Sequence, residues 1–325
     1  MGKDLASRLT AAINKQFSGS ASLASAGRSR SEVRLTVPTG VFALDHYVIG
    51  LGGLPCGRMV ELFSEEGGGK SSLVYAAAAG AQQAGGTAVL VESEASFSEE
   101  RARVFGVDTG KLVLVEAAAA ETGMALEGVL QRIETIAHGV KPADGPMLVA
   151  WDSLAATPTA EEVKNGVVGD EMASDRAKTL SRACRALSGL AATSGICLLV
   201  VNQTRTKFGG GWGGPDYTTP GGKAVKFHSS LRLQILGGAA VKDHGRHVAK
   251  DVTIMAAKNR HAPPWRKARV RLDYATGWDD VWSTVSLAKD FGVIPKAAHY
   301  IETTAAQSRE ALTALWAGEA ADGDA

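Results

Sequence analysis

Apolar and polar positions change their rhythm three times along this chain. Near the N-terminus Leu5, Leu9, Ile13 and Phe17 recur every four residues, with Lys3, Arg8 and Lys15 off the stripe. That spacing predicts a short amphipathic helix. The Ser/Gly-rich run SGSASLASAGRSRSE follows and reads as a linker. From about residue 58 short continuous apolar runs alternate with helical patterns: RMVELF, then EEGGGKSS as a glycine-rich loop, then SLVYAAAAGAQQAG as a helix. TAVLVESE, MLVAWDS and ICLLVVNQ read as further buried strands, with helices at SFSEERARVFGV and around ASDRAKTLSRACRALSGLAATSG. Strands apolar on both faces, alternating with helices, predict a parallel sheet covered on both sides. After residue 230 the runs LRLQIL, DVTIMAAK and ARVRLDY alternate apolar with polar, as half-exposed strands do. The tail from about 279 reads as a small helical appendage.

Composition narrows this picture little. An apolar share of 45% excludes a globally disordered chain. No stretch approaches the roughly 18 uncharged apolar residues of a membrane span. The N-terminus lacks the apolar core of a secretory signal. Cys56, Cys184 and Cys197 are odd in number and match no metal spacing, so a reducing cytoplasm is expected. Charge says more. The net charge is only +1, but residues 61–170 carry 17 acids against 7 bases, whereas residues 204–271 carry 14 bases against 3 acids. A basic stretch in an otherwise acidic chain fits either a polyanion site or a solvated face.

The segment SEEGGGKSS (64–72) lies after a strand and before a helix. Phosphate binding needs backbone amides at a helix N-terminus, a cation for the terminal phosphates and a hydroxyl for Mg²⁺. Glu66, Gly67, Gly68, Gly69 and Ser72 supply the loop and its helix start, Lys70 the cation and Ser71 the hydroxyl. The full phosphate-loop pattern is not met, because Ser64 stands at its first glycine; a bare glycine turn is the alternative. Asp152 ends a strand where a carboxylate can serve Mg²⁺, Ser71 being the other metal-side group, with Asp152 acting through water. A helix N-cap is its other possible role. Glu94 ends TAVLVESE and can activate a water, but Glu92 shares its face and spacing does not choose between them. The segment 202–222 holds Arg205, Lys207, Phe208, Trp212 and Tyr217 among seven glycines, which suits single-stranded nucleic acid or, alternatively, an enzyme lid.

Six runs, LDHYVIGLGGLPCGRMVELFSEEGGGKSS, VLVESEASF, WDSLAA, VVNQTRTKFG, TTPGGKAVKFHSSLRL and AAKNRHAPP, resemble the bacterial RecA recombinase family in order and spacing. The resemblance implies an α/β fold: a RecA-type phosphate-loop ATPase core with a mostly parallel central sheet flanked by helices. It also implies an N-terminal oligomerisation helix and a small C-terminal α/β appendage. The expected divisions are 1–32 for helix and linker, 33–278 for the core with its DNA loops, and 279–325 for a small C-terminal domain with an acidic tail.

By resemblance the protein uses ATP and Mg²⁺, forms a helical filament of copies of itself on single-stranded DNA, and pairs that DNA with homologous double-stranded DNA. Glu94 matches the catalytic carboxylate, Lys70 the loop cation, and Lys258 and Arg260 two cations that reach the ATP of the adjacent subunit. Gln203 matches a γ-phosphate sensor, Phe227 a relay of nucleotide state at the interface, and Arg101 stands beside the adenine position. DNA contacts are expected from Arg205, Lys207, Phe208, Trp212, Gly221, Gly222, Lys223 and Lys226 in one loop, and from Glu161, Lys164 and Asn165 in another. Ser64, Ser98, Arg101, Pro220 and Lys223 depart from the family pattern and mark a divergent member. A non-catalytic accessory paralogue and a hexameric helicase or circadian-type ATPase are the competing readings. Joint retention of Lys70, Ser71, Glu94, Asp152, Lys258 and Arg260 favours the recombinase over the first, and the N-terminal helix with its linker and the KNR run at 258–260 favour it over the second.

Overall fold

A computed structural model describes residues 4–18, 20–22, 32–116, 124–141, 144–165, 170–207, 216–218 and 222–322. Contacts divide the chain into residues 1–34 and 35–325. In the first unit α1 (Leu5–Gln16) starts at Asp4, whose carboxylate accepts from the Ser7 amide at 2.7 Å. None of its residues is buried, and Leu5, Leu9, Ile13 and Phe17 all lie exposed.

The second unit opens with β1 (Thr36–Val37), a π-helical turn at Ala43–Ile49, and β2 (Leu54–Pro55) paired antiparallel to β1. Then come β3 (Arg58–Ser64), α2 (Lys70–Gln83), β4 (Thr87–Glu92), α3 (Glu99–Val104), β5 (Leu112–Val115), α4 (Leu126–Gly139) and β6 (Met147–Asp152). They are followed by α5 (Ala160–Asn165), α6 (Asp170–Ser194), β7 (Cys197–Gln203), β8 (Arg205–Lys207), β9 (Asp216–Thr218) and α7 (Gly222–His228). The chain ends with β10 (Leu231–Asp243), β11 (Arg246–Asn259), β12 (Lys267–Asp273), β13 (Gly277–Asp279), α8 (Asp280–Asp290) and α9 (Glu302–Asp322).

Nine strands form one sheet in the order β13-β12-β11-β10-β3-β7-β6-β4-β5. From β10 to β5 every pairing is parallel, and from β10 to β13 every pairing is antiparallel. Strand alternation sorts the core into two layers. Ala88, Leu90, Leu148, Ala150, Leu199 and Val201 pack on the α2 side with Leu73 and Ala77. Val89, Val91, Val149, Trp151, Leu198 and Val200 pack on the other side with Val129 and Ile133 of α4 and Leu180 and Leu187 of α6. This parity also sets the chemistry: Glu92 and Asp152 continue the α2-facing series 88–90 and 148–150, so both carboxylates emerge on the face of the phosphate loop.

The doubly covered parallel strands follow the pattern of the sequence; other elements do not. β5 and α4 escape it, β5 because three half-buried residues and the exposed Val113 give too short a run. The two-residue β1 and β2 and the π-helical turn leave no periodic signal at all. β10 runs on to Asp243 and β11 begins at Arg246; beyond Gln234 β10 no longer pairs with β3, and Gly237, Gly238, Ala239 and Ala240 are exposed with no face to mark. The region after 279 is helical among the described residues rather than α/β. Nor does it stand apart, since Val285, Leu287 and Ala288 of α8 are buried and Asp280 accepts from the Phe42 amide at 2.6 Å and from Arg309 at 2.5 Å.

Candidate active site

The carboxyl ends of β3, β4, β6 and β7 lie side by side, the edge where open parallel sheets bind ligands. Leaving β3, the chain turns through Gly67 (φ 66°) and Gly69 (φ 99°), left-handed conformations that suit glycine, and enters α2 at Lys70. Lys70 is buried. Its ammonium donates to the carbonyls of Glu65 at 2.9 Å and Ser64 at 3.5 Å and to Ser64 Oγ at 3.3 Å. Burial holds its pKa below the ordinary lysine value, against the opposing pull of Asp152, Glu94 and Glu66.

Ser71 Oγ donates to Asp152 Oδ2 at 2.8 Å. Burial first, then nearby Glu94 and Glu92, push the Asp152 carboxyl up to about 6, although the Ser71 hydrogen bond and Lys70 oppose the rise. Glu92 lies opposite Asp152 in the β4–β6 register and is likewise raised by burial.

Glu94 does not end the strand as its sequence context suggested: β4 stops at Glu92, and Glu94 stands exposed on the following loop. Its amide donates to Glu92 Oε1 at 2.6 Å, while Glu92 Oε2 accepts from Ser96 Oγ at 3.3 Å. Glu94 Oε1 accepts from Ser153 Oγ, and from Gln203 Nε2 at 3.4 Å. The sequence left Glu92 and Glu94 equivalent; the structure separates them into a buried brace and an exposed, oriented carboxylate. Gln203 pairs with Ser64 across β7 and β3, and the Thr204 amide donates to the Ser64 carbonyl at 2.9 Å. The phosphate loop and the segment leading to Arg205 are thus tied at their roots.

Ser98 caps α3, accepting from the Arg101 amide at 3.3 Å. Arg101 lies over the Phe105 ring at 5.2 Å and donates to the Tyr274 carbonyl at 2.7 Å. Two residues near the loop carry no sequence signal. Lys250 Nζ donates to the Gly67 carbonyl at 3.3 Å, and Trp278 Nε1 to the Ser72 carbonyl at 3.3 Å. They lie 183 and 206 positions away, and only the sheet brings them close.

Lys258 and Arg260 lie elsewhere. Lys258 Nζ donates to the Lys226 and Phe227 carbonyls at 2.8 and 3.0 Å, and Arg260 to the Phe227 carbonyl at 3.4 Å. Both cations cap the carboxyl end of α7, where the helix dipole favours them. Burial, with Arg260 and Arg232 adding to it, brings the Lys258 pKa down to about 8. Arg232 itself is paired with buried Glu61, which also accepts from Asn202 Nδ2 at 3.0 Å. Among the described residues, neither Lys258 nor Arg260 hydrogen-bonds the phosphate loop. Phe227 is 68% exposed beside them.

Of the expected DNA positions, Arg205 and Lys207 lie on β8, which pairs antiparallel with β9. Gly222, Lys223 and Lys226 lie on α7, and Lys223 is exposed. Glu161, Lys164 and Asn165 lie on α5, which opens with a reciprocal cap. The Thr159 amide donates to Glu162 Oε2 at 2.6 Å and the Glu162 amide to Thr159 Oγ1 at 3.1 Å. Phe208, Trp212, Pro220 and Gly221 lie outside the described residues.

A glycine loop between strand and helix, with a buried lysine, a hydroxyl–carboxylate pair and an oriented glutamate, is the arrangement of a phosphate-loop core. Residues 3–279 match the family model described as the RecA N-terminal domain. The chain is 32% identical to Protein RecA 1 of Myxococcus xanthus over 89% of its length and 81% of that protein. It is 34% identical to Protein RecA of Chlorobaculum parvum over 88% and 78%, and 32% identical to Protein RecA of Thermus thermophilus over 89% and 81%. The chain belongs to the RecA family of recombinases.

Proposed function

We propose that this chain is an ATP-dependent DNA recombinase: a DNA-dependent ATPase that assembles with its own copies into a helical filament on single-stranded DNA and pairs it with homologous double-stranded DNA. One observation carries the coupling. Gln203 touches Glu94 at the end of the strand that continues to Arg205 and Lys207, so the hydrolytic carboxylate and the basic segment share one side chain.

Lys70 and the loop amides bind the phosphates. Ser71 and Asp152 offer hard oxygens of the kind Mg²⁺ prefers, and Mg²⁺ needs only one or two carboxylates when phosphates complete its shell. When bound, the ion neutralises phosphate charge. Glu94, held by Ser153 and Gln203, accepts a proton from the water that attacks the γ-phosphorus; the bond to the bridging oxygen breaks, and ADP and phosphate leave. Arg205, Lys207, Lys223 and Lys226 neutralise DNA phosphates, with Glu161, Lys164 and Asn165 on the second approach. Lys258 and Arg260 act on the ATP of the adjacent subunit, with Phe227 between them and that neighbour, and the apolar stripe of α1 docks on a neighbouring subunit. No helix among the described residues is long and apolar enough to cross a membrane; the proposed place of action is the cytoplasm. An accessory paralogue without ATP chemistry would have no use for the Ser71–Asp152 and Glu94–Gln203 pairs. The test is phosphate release from ATP with and without single-stranded DNA: stimulation by DNA is expected, and hydrolysis absent in both conditions would overturn the reading.

A further inference from the structure

Ser64 stands where the phosphate-loop pattern has glycine, and its side chain is engaged with the loop. It is 2% exposed. Its hydroxyl donates to the Glu65 carbonyl at 2.7 Å and accepts from Lys70 Nζ at 3.3 Å. The Ser64 carbonyl, at 3.5 Å, and the Glu65 carbonyl, at 2.9 Å, supply two more acceptors. An ammonium has three donors and no acceptor, so these three oxygens satisfy Lys70 completely. The same side chain lies under the loop: a methyl added at Gly68 would overlap Ser64 Oγ and stand 2.8 Å from its Cβ.

We propose that Ser64 is a positioning residue that holds Lys70 against the loop's own oxygens, so that nucleotide must draw the ammonium away from Ser64 as it binds. The inference rests on the ATP-binding reading and deepens it. The Ser64 contacts are the two longer ones and the Glu65 contact the shortest. Lys70 therefore releases Ser64 and keeps Glu65 when it turns to a phosphate. Glycine at this position offers no hydroxyl, so Lys70 would start with one competitor fewer. Serine thus raises the nucleotide concentration at which the protein binds and assembles, with no effect on hydrolysis once the phosphates are seated.

The test uses the full-length protein and its Ser64→Ala and Ser64→Gly variants. Affinities for Mg²⁺-ADP and for a slowly hydrolysed ATP analogue are measured by titration calorimetry without DNA; ATP hydrolysis is then measured at saturating single-stranded DNA. Alanine removes the hydroxyl and keeps the Cβ, whereas glycine removes both. The expected result is tighter binding in both variants, by about tenfold for loss of one charge-assisted hydrogen bond. KM for ATP falls in parallel, with kcat within about twofold of the parent. A merely packing role for Ser64 would leave Ser64→Ala at parent affinity. Unchanged or weaker binding in Ser64→Ala, with thermal unfolding and DNA affinity as in the parent, overturns the proposal and leaves the ATPase reading intact. Should parent and variants alike bind no nucleotide, the ATPase reading falls and the proposal with it.

Discussion

The two halves of the sheet present opposite electrostatic problems. At the carboxyl edge of the parallel half, Asp152 and Glu92 are buried beside Glu94, and burial with mutual repulsion raises the carboxyl of Asp152 to about 6. In the antiparallel half, Lys258 is half-buried beside Arg260 and Arg232, and the same two causes lower it to about 8. One cluster wants cations, the other wants anions. Among the described residues of a single chain they do not meet: Lys258 and Arg260 rest on helix-end carbonyls instead. The difference is what the proposed assembly would use: a phosphate-rich ligand placed between two copies of the chain would relieve both clusters.

The largest effects come from breaking the anionic cluster directly. Lys70→Ala should abolish ATP hydrolysis and nucleotide-dependent assembly, since the loop loses its buried cation. Glu94→Gln should still bind ATP and DNA but hydrolyse about 10²-fold more slowly or worse, because proton acceptance alone is lost. Equal loss of nucleotide binding in the two variants, read by equilibrium titration, would make Glu94 structural.

The next largest effect joins the halves. Lys70→Ala mixed with the double variant Lys258→Ala, Arg260→Ala should recover DNA-dependent hydrolysis although each is inactive alone. Some interfaces then pair an intact loop with intact cations, as with an arginine finger supplied in trans. No recovery at any mixing ratio, in mixed filaments seen by two-colour labelling, would separate the halves functionally.

A finer test is the pH profile of kcat/KM for ATP, which reports groups of the free enzyme. As pH falls through about 6, Asp152 takes up a proton and loses its attraction for Mg²⁺. As pH rises through about 8, Lys258 loses its proton and its charge. A bell between these values is expected. Lys258→Arg should carry the alkaline limb upward, because guanidinium stays protonated. An alkaline limb unmoved in this variant would assign it to another group.

The smallest effect lies outside both halves. Thr159→Ala removes one arm of the reciprocal cap on α5 and should cost about 1 kcal/mol in thermal unfolding. It should also weaken DNA binding if α5 presents Glu161, Lys164 and Asn165.

Local chemistry made much of this legible in the chain. Continuous apolar runs at β3, β4, β6 and β7 needed cover on both faces, and the Gly-Gly-Gly-Lys-Ser turn between strand and helix has few uses besides phosphate. Residues close in sequence settle such features through backbone sterics and side-chain period. By contrast, Glu92 and Glu94 share a strand parity, and only the end of β4 at Glu92 turned one into a buried brace and left the other exposed. Ser64, legible merely as a missing glycine, became a ligand of Lys70 once the loop closed over it. The contacts of Lys250 and Trp278 with the loop, and the capping of α7 by Lys258 and Arg260, depend on strand order across a nine-stranded sheet. A single sequence encodes which residues want a partner of opposite charge. Which partner they find is decided by packing, because burial and strand neighbours, set over hundreds of residues, determine what each charge faces.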